Sequence, residues 1–301
     1  MSWASKLIEP YRVESGKKFR LKDFDPADTG DGHSKKHAQE LLQQGIADMA
    51  TLQDKLYAQN CWGLLLIFQA MDAAGKDGAI KHVMSGVNPQ GCQVYSFKQP
   101  SAEELDHDYM WRCAVRLPER GRIGIFNRSY YEEVLITRVH PQVLAAQKIP
   151  EELKGKHIWK ERYADISAFE SYLARNGFVV RKFYLNLSKK EQKKRFLDRL
   201  DHPDKNWKFS AADVHEREYW DAYMKAYEEM IAHTSSKQAP WYVIPADNKW
   251  FTRVAVAAAI VETMESLNLE YPKVSAEAKK QLAEARKELE TGGKSKQVTS
   301  D

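Results

Sequence analysis

Residues 62–68, Trp62-Gly63-Leu64-Leu65-Leu66-Ile67-Phe68, form an apolar run without polar alternation. That is the pattern of a strand buried on both faces of a parallel sheet. Shorter runs of similar character follow at Gln93 to Phe97, Arg122 to Phe126, Val179 to Leu187 and Trp241 to Pro245. Between them, the spacing predicts helices over Ala102 to Leu117, Lys156 to Asn176, Lys189 to Leu200, Ala211 to His233 and Phe251 to Leu267. Ahead of the first strand, Leu41, Leu42, Ile46, Met49, Leu52 and Leu56 recur at helical spacing. They predict one long helix from Ser34 to Asn60, entered through the Gly/Asp-rich segment Asp28 to His33. Strands alternating with helices in this way imply an α/β fold, a five-stranded parallel sheet sandwiched by helices.

After Pro272 the composition shifts to Ala, Lys and Glu as far as Glu290, then to Gly292-Gly293-Lys294-Ser295-Lys296, which reads as a terminal helix and a frayed tail. No internal repeat or interdomain linker interrupts the rest. A single domain over 1–301 is expected, with its core at about 30–270 and a C-terminal helix and tail at 273–301.

A chain of 301 residues buries enough apolar surface for a stable core. Both signs of charge are mixed along it, and the net formal charge of +4 suits an anionic ligand without demanding one. Nucleic-acid binding has only that mild charge behind it and is not expected. Cys61, Cys92 and Cys113 lie far apart with no paired spacing, which argues against a disulfide framework or a zinc knuckle and fits a reducing compartment. The opening Met1-Ser2-Trp3-Ala4-Ser5-Lys6 is not an apolar leader, and nowhere do about 18 apolar residues run together. A cytoplasmic protein without membrane association is the expectation.

Ala70-Met71-Asp72-Ala73-Ala74-Gly75-Lys76-Asp77-Gly78 follows the first strand directly and precedes a helix starting near Lys76. This is the setting of a phosphate-binding loop: amide groups at a helix N-terminus face the anion, small residues admit the backbone, and a lysine reaches the phosphates. Two positions depart from G-x-x-x-x-G-K-[ST]. Ala70 replaces the first glycine, and Asp77 replaces the magnesium-binding hydroxyl. A bare match of this quality also describes a tight turn with a solvated lysine. Asp72 and Asp77, however, put two carboxylates beside the phosphate site, an arrangement that is repulsive without a cation between them, and magnesium is the hard ion that suits such oxygens.

The third run leads into Asn127-Arg128-Ser129-Tyr130-Tyr131-Glu132-Glu133, at the strand end where open α/β sheets bind ligands. Asn127 occupies the usual place of a Walker B aspartate. Arg128 offers a planar fork for phosphate oxygens. At least one of Tyr130 and Tyr131 is expected in the core. Glu132 or Glu133 could ligate metal or simply favour a helix start; Glu133 is taken as the candidate ligand. A third cluster runs from Lys193 to Ser210, with Arg195 and Arg199 four apart on one helical face. The helix then breaks at Pro203 into the basic, aromatic stretch Lys205-Asn206-Trp207-Lys208. A charged run of this kind is usually a solvated surface. Its place after the fourth strand instead suggests a closing lid at about 195–215. Arg112 and Arg116 form another i, i+4 pair. No His-Glu-x-x-His, Gly-x-Ser-x-Gly or dinucleotide fingerprint occurs.

Taken together, Phe68 to Gly78, Phe97-Lys98-Gln99-Pro100, Phe126 to Tyr131, and Asp204 to Ser210 with Asp213 resemble the polyphosphate kinase 2 family, in order from about residue 30 to 270. The resemblance implies a thymidylate-kinase-like P-loop fold with a helical lid. It also implies magnesium-dependent phosphorylation of nucleoside mono- or diphosphates by inorganic polyphosphate, manganese being a possible substitute, and a homodimer or homotetramer. It carries catalytic roles to Asp72, Lys76, Arg128 and Arg199, and a lid role to Asp213. The polyanion would meet Ala73, Ala74, Gly75, Lys76, Asp77, Gly78, Lys81, Arg112 and Arg116. The nucleotide and lid set would be Asn127, Arg128, Arg195, Arg199, Lys205, Lys208 and Asp213, and the metal ligands Asp72, Asp77 and Glu133. Asn127, where many members carry aspartate, resembles the subgroup accepting both AMP and ADP. The competing readings are an ATP-dependent nucleotide or metabolite kinase and a non-catalytic polyphosphate-binding protein.

Overall fold

The protein is described by a computed structural model over residues 2–30 and 34–290, the side chain of Lys208 excepted. The expected tail at 292–296 and the last three residues of the entry to the long helix lie outside the described residues. The chain divides into two units, Met1–Leu269 and Glu270–Asp301. The second contains the expected Ala/Lys/Glu-rich helix, Ala276–Glu290.

The first unit is built on strands β1 (Arg12–Val13), β2 (Gly63–Gln69), β3 (Cys92–Ser96), β4 (Ile123–Asn127), β5 (Phe178–Asn186) and β6 (Trp241–Pro245). Their order across the sheet is β1-β6-β5-β2-β4-β3. The five expected strands all run parallel. A sixth, β1, adds antiparallel to β6 through Arg12↔Tyr242 and Val13↔Trp241. Two residues carry no readable alternation, so β1 leaves no trace in the sequence pattern.

β2 is the centre, and every one of its residues is buried. Successive side chains of a strand point to opposite faces, and β2 divides accordingly. Leu64, Leu66 and Phe68 join the core packed against helices Lys35–Gln59 and Lys249–Glu265. Leu65 and Ile67 join the opposite core, with Phe126, Tyr130, Tyr131, Tyr163, Tyr227 and Trp241. Both tyrosines after β4 are therefore core residues. After β2 the chain moves to one side of it for β3 and β4, and later to the other for β5 and β6. The carboxyl end of β2 is thus a topological switch point, where such sheets form a ligand crevice.

Two predicted helices are broken. Ala102 to Leu117 becomes Ala102–Asp106 and Trp111–Ala114. His107 is extended (φ −104°, ψ 171°), and Asp108 Oδ1 accepts the Met110 N–H at 2.9 Å. This local side-chain bond competes with helical continuation. Ala211 to His233 is divided into Ala211–Glu216, a 3₁₀ turn Arg217–Tyr219, and Trp220–Thr234.

The N-terminal arm docks closely on the last of these helices. A Cβ added at Gly16 would fall 1.5 Å from the carbonyl oxygen of Ala232, a backbone atom that no side-chain motion can clear. Gly16→Ala should destabilise the protein by about 2–3 kcal/mol through overpacking. Thermal unfolding checks this, and an unchanged midpoint would show that the arm is not anchored there.

Candidate active site

The loop Ala70–Gly75 joins β2 to the helix Lys76–Val83. Gly75 caps that helix at φ +100°, a conformation natural to glycine. Ala73 also has positive φ (64°), unfavourable for a residue with a Cβ. The loop is held from behind by the helix Lys189–Asp201. Arg195, only 6% exposed, donates to the carbonyls of Ala73 (3.1 Å), Ala74 (2.9 Å), Ala246 (2.6 Å) and Asp247 (3.0 Å), while its Nε donates to Glu191 (3.0 Å). A guanidinium has five N–H groups, and these bonds use them all. Arg195, expected in the nucleotide and lid set, is committed here to the loop's scaffold. Gln192 adds a further tie: its Nε2 donates to the Asp72 carbonyl (2.9 Å), and its Oε1 accepts from Arg217 (2.6 Å).

In front of this scaffold, the first turn of the helix presents the Lys76, Asp77 and Gly78 N–H groups, which have no intrahelical acceptor. A Cβ at Gly78 would meet nothing within 4 Å, so that face is open. The Lys76 ammonium donates to the carbonyl of Ala70 (2.8 Å). Burial pushes the Lys76 pKa down, opposed by nearby Asp72.

Arg128, at the end of β4, donates to Asp72 Oδ1 at 2.9 Å. Its backbone sits at φ +66° with its N–H on the carbonyl of Phe68 (3.0 Å). Asn127 donates to Asp77 Oδ1 at 2.6 Å. Each loop carboxylate is thus met by the residue following or ending β4.

Glu132 and Glu133 part company. Glu133, named from sequence as a metal ligand, is held by Arg162 (3.1 Å) and Gln147 (2.8 Å), a different environment from that of the loop aspartates. The short 3₁₀ helix Tyr130–Val134 turns adjacent side chains apart. Glu132 faces the loop instead. Burial raises its pKa, while Arg128 and Lys76 oppose the rise. The Gln69 amide, oriented to satisfy its partners, donates to Glu132 Oε1 at 2.9 Å and accepts the Ser129 N–H at 3.1 Å.

On the lid side, Arg199 stands 3.8 Å from Asp213 and over the ring of Phe196. Burial raises the Asp213 pKa and Asp72 adds to the rise, with Arg199 and Arg128 opposing it. The lid pair and the loop pair therefore share one electrostatic field. Lys205 is bound to Asp198 (2.9 Å) and Asn206 to the carbonyls of Arg199 and Leu200 (2.7 and 3.0 Å), so both brace the lid itself. The side chain of Lys208 lies outside the described residues. Arg112 donates to the Lys98 carbonyl (2.7 Å) and lies near enough to Glu132 to favour its ionisation. Arg116 lies over Tyr95 of the edge strand β3, and exposed Lys81 is in the last turn of the loop helix.

Gln192 and Arg217 enter this site without having been singled out in the sequence, and Gln69 had only its place in the Phe68 to Gly78 motif; the fold brings all three to the loop. Among the described residues no group of three or more His, Cys, Asp or Glu side chains is placed to hold a metal by itself.

A parallel sheet, a phosphate loop at its central switch point, an arginine at the neighbouring strand end and a charged lid define a P-loop phosphotransferase. The family model described as Polyphosphate kinase 2 (PPK2) matches residues 32–272. The chain is 54% identical over 280 residues to an ADP-polyphosphate phosphotransferase of Rhodopseudomonas palustris, covering 93% of this chain and 97% of that one. It is 42% identical over 278 residues to an AMP/ADP-polyphosphate phosphotransferase of Meiothermus ruber, covering 92% and 100%. The crystal structure of polyphosphate kinase 2 from Arthrobacter aurescens superposes with a TM-score of 0.85 at 40% identity, covering 95% of this chain and 99% of that one. The chain belongs to the polyphosphate kinase 2 family and is a phosphotransferase.

Arg195→Lys tests the scaffold. An ammonium offers three donors where the guanidinium offers five, leaving buried acceptors unpaired at about 1–3 kcal/mol each. Thermal unfolding should show a loss of roughly 2–4 kcal/mol, and transfer activity should fall with it; wild-type stability would mean the loop does not depend on the clamp.

Proposed function

We propose that this protein transfers the terminal phosphate of inorganic polyphosphate to AMP and ADP, and the reverse, with magnesium as the metal. The observation that carries the reading is the Asp72–Arg128 pair at the mouth of the phosphate loop, which acts electrostatically on Asp213, the partner of Arg199. The names of the relatives support the choice of donor and acceptors.

The attacking group in such a transfer is a terminal phosphate oxygen of the nucleotide. It is largely ionised near neutral pH, since the second phosphate pKa is about 6, so no general base is required. What remains is to align two polyanions and offset their repulsion, the positioning and electrostatic work of phosphoryl transfer. Lys76 and the amides of the loop and first helical turn hold the transferring phosphate. Arg128 and Arg199 neutralise charge around it, and Glu132 and Asp213 hold those cations in place. Arg112, Lys81 and Arg116 are the cations assigned to the rest of the polyphosphate chain.

The donor set fits magnesium. This ion is commonly held by one or two carboxylates, with substrate phosphates and water completing an octahedron, and Asp72 and Asp77 are two such carboxylates, each with one oxygen engaged by Arg128 or Asn127. When bound, the ion supplies positive charge between the phosphates. No helix among the described residues is long and apolar enough to cross a membrane.

Purified protein incubated with long-chain polyphosphate, magnesium and AMP, ADP or GDP should yield nucleoside di- or triphosphate, followed by chromatography. The yield should depend on polyphosphate and vanish in Lys76→Ala. Arg128→Ala should remain folded and lose about 10³-fold or more in turnover, the scale of a phosphate-clamping arginine. Conversion with ATP as the only competent donor, or ordinary turnover in Arg128→Ala, would overturn the reading.

A further inference from the structure

Besides its own bonds to Phe68 and Asp72, Arg128 is set in place by residues remote from the loop. Its backbone is in the left-handed region at φ +66°, a conformation that persists in a side-chain-bearing residue only where its surroundings impose it. The chain immediately after it is imposed upon strongly. Ser129 is fully buried and its Oγ accepts the Tyr131 N–H at 3.2 Å. Tyr130 and Tyr131 then drive into the core, and both hydroxyls donate to the same carboxylate oxygen, Glu170 Oε1, at 2.9 and 2.7 Å.

The other oxygen of Glu170 receives the Lys182 ammonium at 2.6 Å. Lys182 is 0% exposed, in the middle of β5, and its remaining bonds go to the Thr234 carbonyl (2.7 Å) and the Tyr131 hydroxyl (3.1 Å). Thr234 Oγ1 in turn accepts the Trp241 Nε1–H at 2.9 Å. The network links helix Ile158–Arg175, strand β5, helix Trp220–Thr234 and strand β6 to the two residues that fix the turn. Every proton of the lysine and both oxygens of the carboxylate are used.

Stability alone does not explain such a group. A buried ion pair is often matched or bettered by apolar side chains of the same volume, and its best-attested use is to select one arrangement among several. Two tyrosine rings would pack with or without their hydroxyls; the hydroxyl bonds add direction, because both must aim at one oxygen atom. They fix the rotation of the turn that begins at Arg128 and ends at Glu132.

We propose that Glu170 and Lys182 are positioning residues for phosphoryl transfer, acting through the hydroxyls of Tyr130 and Tyr131 to aim Arg128 at the phosphate site. The proposal rests on the reading of Arg128 given above. None of the four touches substrate; a displacement of an ångström at a reacting centre is enough to lose on the order of 10²-fold in rate.

The test is a double-mutant cycle between Arg128→Ala and the double variant Tyr130→Phe/Tyr131→Phe, which keeps both rings in the core and removes only the hydroxyls. The double phenylalanine variant, assayed well below its own unfolding midpoint, should lose roughly ten- to a hundredfold in kcat with the KM for nucleotide unchanged. In the Arg128→Ala background the same change should have little further effect, since residues that act as one unit are non-additive. Tyr131→Phe alone, which leaves Tyr130 on Glu170, should give a smaller loss and keeps the test available if the double variant unfolds. Wild-type kcat in the phenylalanine variants, with Arg128→Ala inactive, overturns the positioning proposal and leaves the role of Arg128 standing. Equal losses with and without Arg128 also overturn it, and normal turnover in Arg128→Ala overturns both.

Discussion

One buried guanidinium ties the phosphate loop to the elements behind it. The loop after β2 carries its carbonyls toward the interior, where a peptide acceptor without a partner is costly. Arg195 meets two of them, and with the same planar fork reaches the carbonyls of Ala246 and Asp247 beyond β6 and the carboxylate of Glu191. Loops from two strands and a turn of helix are thereby joined at one atom group. The unfavourable φ of Ala73 is held against that group, and the adjacent Asp72 carbonyl is fixed by Gln192. The loop that carries Asp72 and leads into Lys76 is held from behind at this point.

The charges at the front are arranged in opposing pairs rather than as a uniformly basic cleft. Asp72 faces Arg128, Arg199 faces Asp213, and Arg128 and Lys76 both act electrostatically on Glu132. A cluster of cations alone would repel itself in a partly desolvated site; interleaved carboxylates offset that repulsion before any ligand arrives. The downward pull of burial on Lys76, countered by Asp72, illustrates the balance. A phosphate brings a stronger counter-charge to the same lysine, so preorganised cations need little rearrangement to receive it.

The sheet and the loop were readable because both rest on dense, local signals. An unbroken apolar run means burial on two faces, and small residues with a lysine between a strand and a helix mean an anion site. Of Tyr130 and Tyr131 the sequence placed at least one in the core, and both are there. The N-terminal arm was not, since β1 has two residues and gains its place only by pairing with β6. Helical spacing correctly put Arg195 and Arg199 on neighbouring turns, but it could not say that one turn lies under the loop and the next beside the lid. Glu132 and Glu133 posed the same difficulty in smaller form. Adjacent identical residues have no pattern to separate them, and a 3₁₀ turn sends one to the loop and the other to Arg162.

Asn127 shows how a single atom's chemistry reshapes the metal question. Its amide nitrogen lies 2.6 Å from Asp77 Oδ1 and donates to it. An aspartate in that place, as in many members of the family, would set two carboxylate oxygens at the same separation, an arrangement tolerated only with a cation or a proton between them. The amide removes that demand. The β4 end and the loop helix are joined by a hydrogen bond that needs no metal, and under the proposed function the carboxylates that would attract one are Asp72 and Asp77. A site with fewer fixed anionic ligands leaves more of the coordination sphere to phosphate oxygens and water, which is the manner in which magnesium is ordinarily shared between a protein and a phosphorylated substrate.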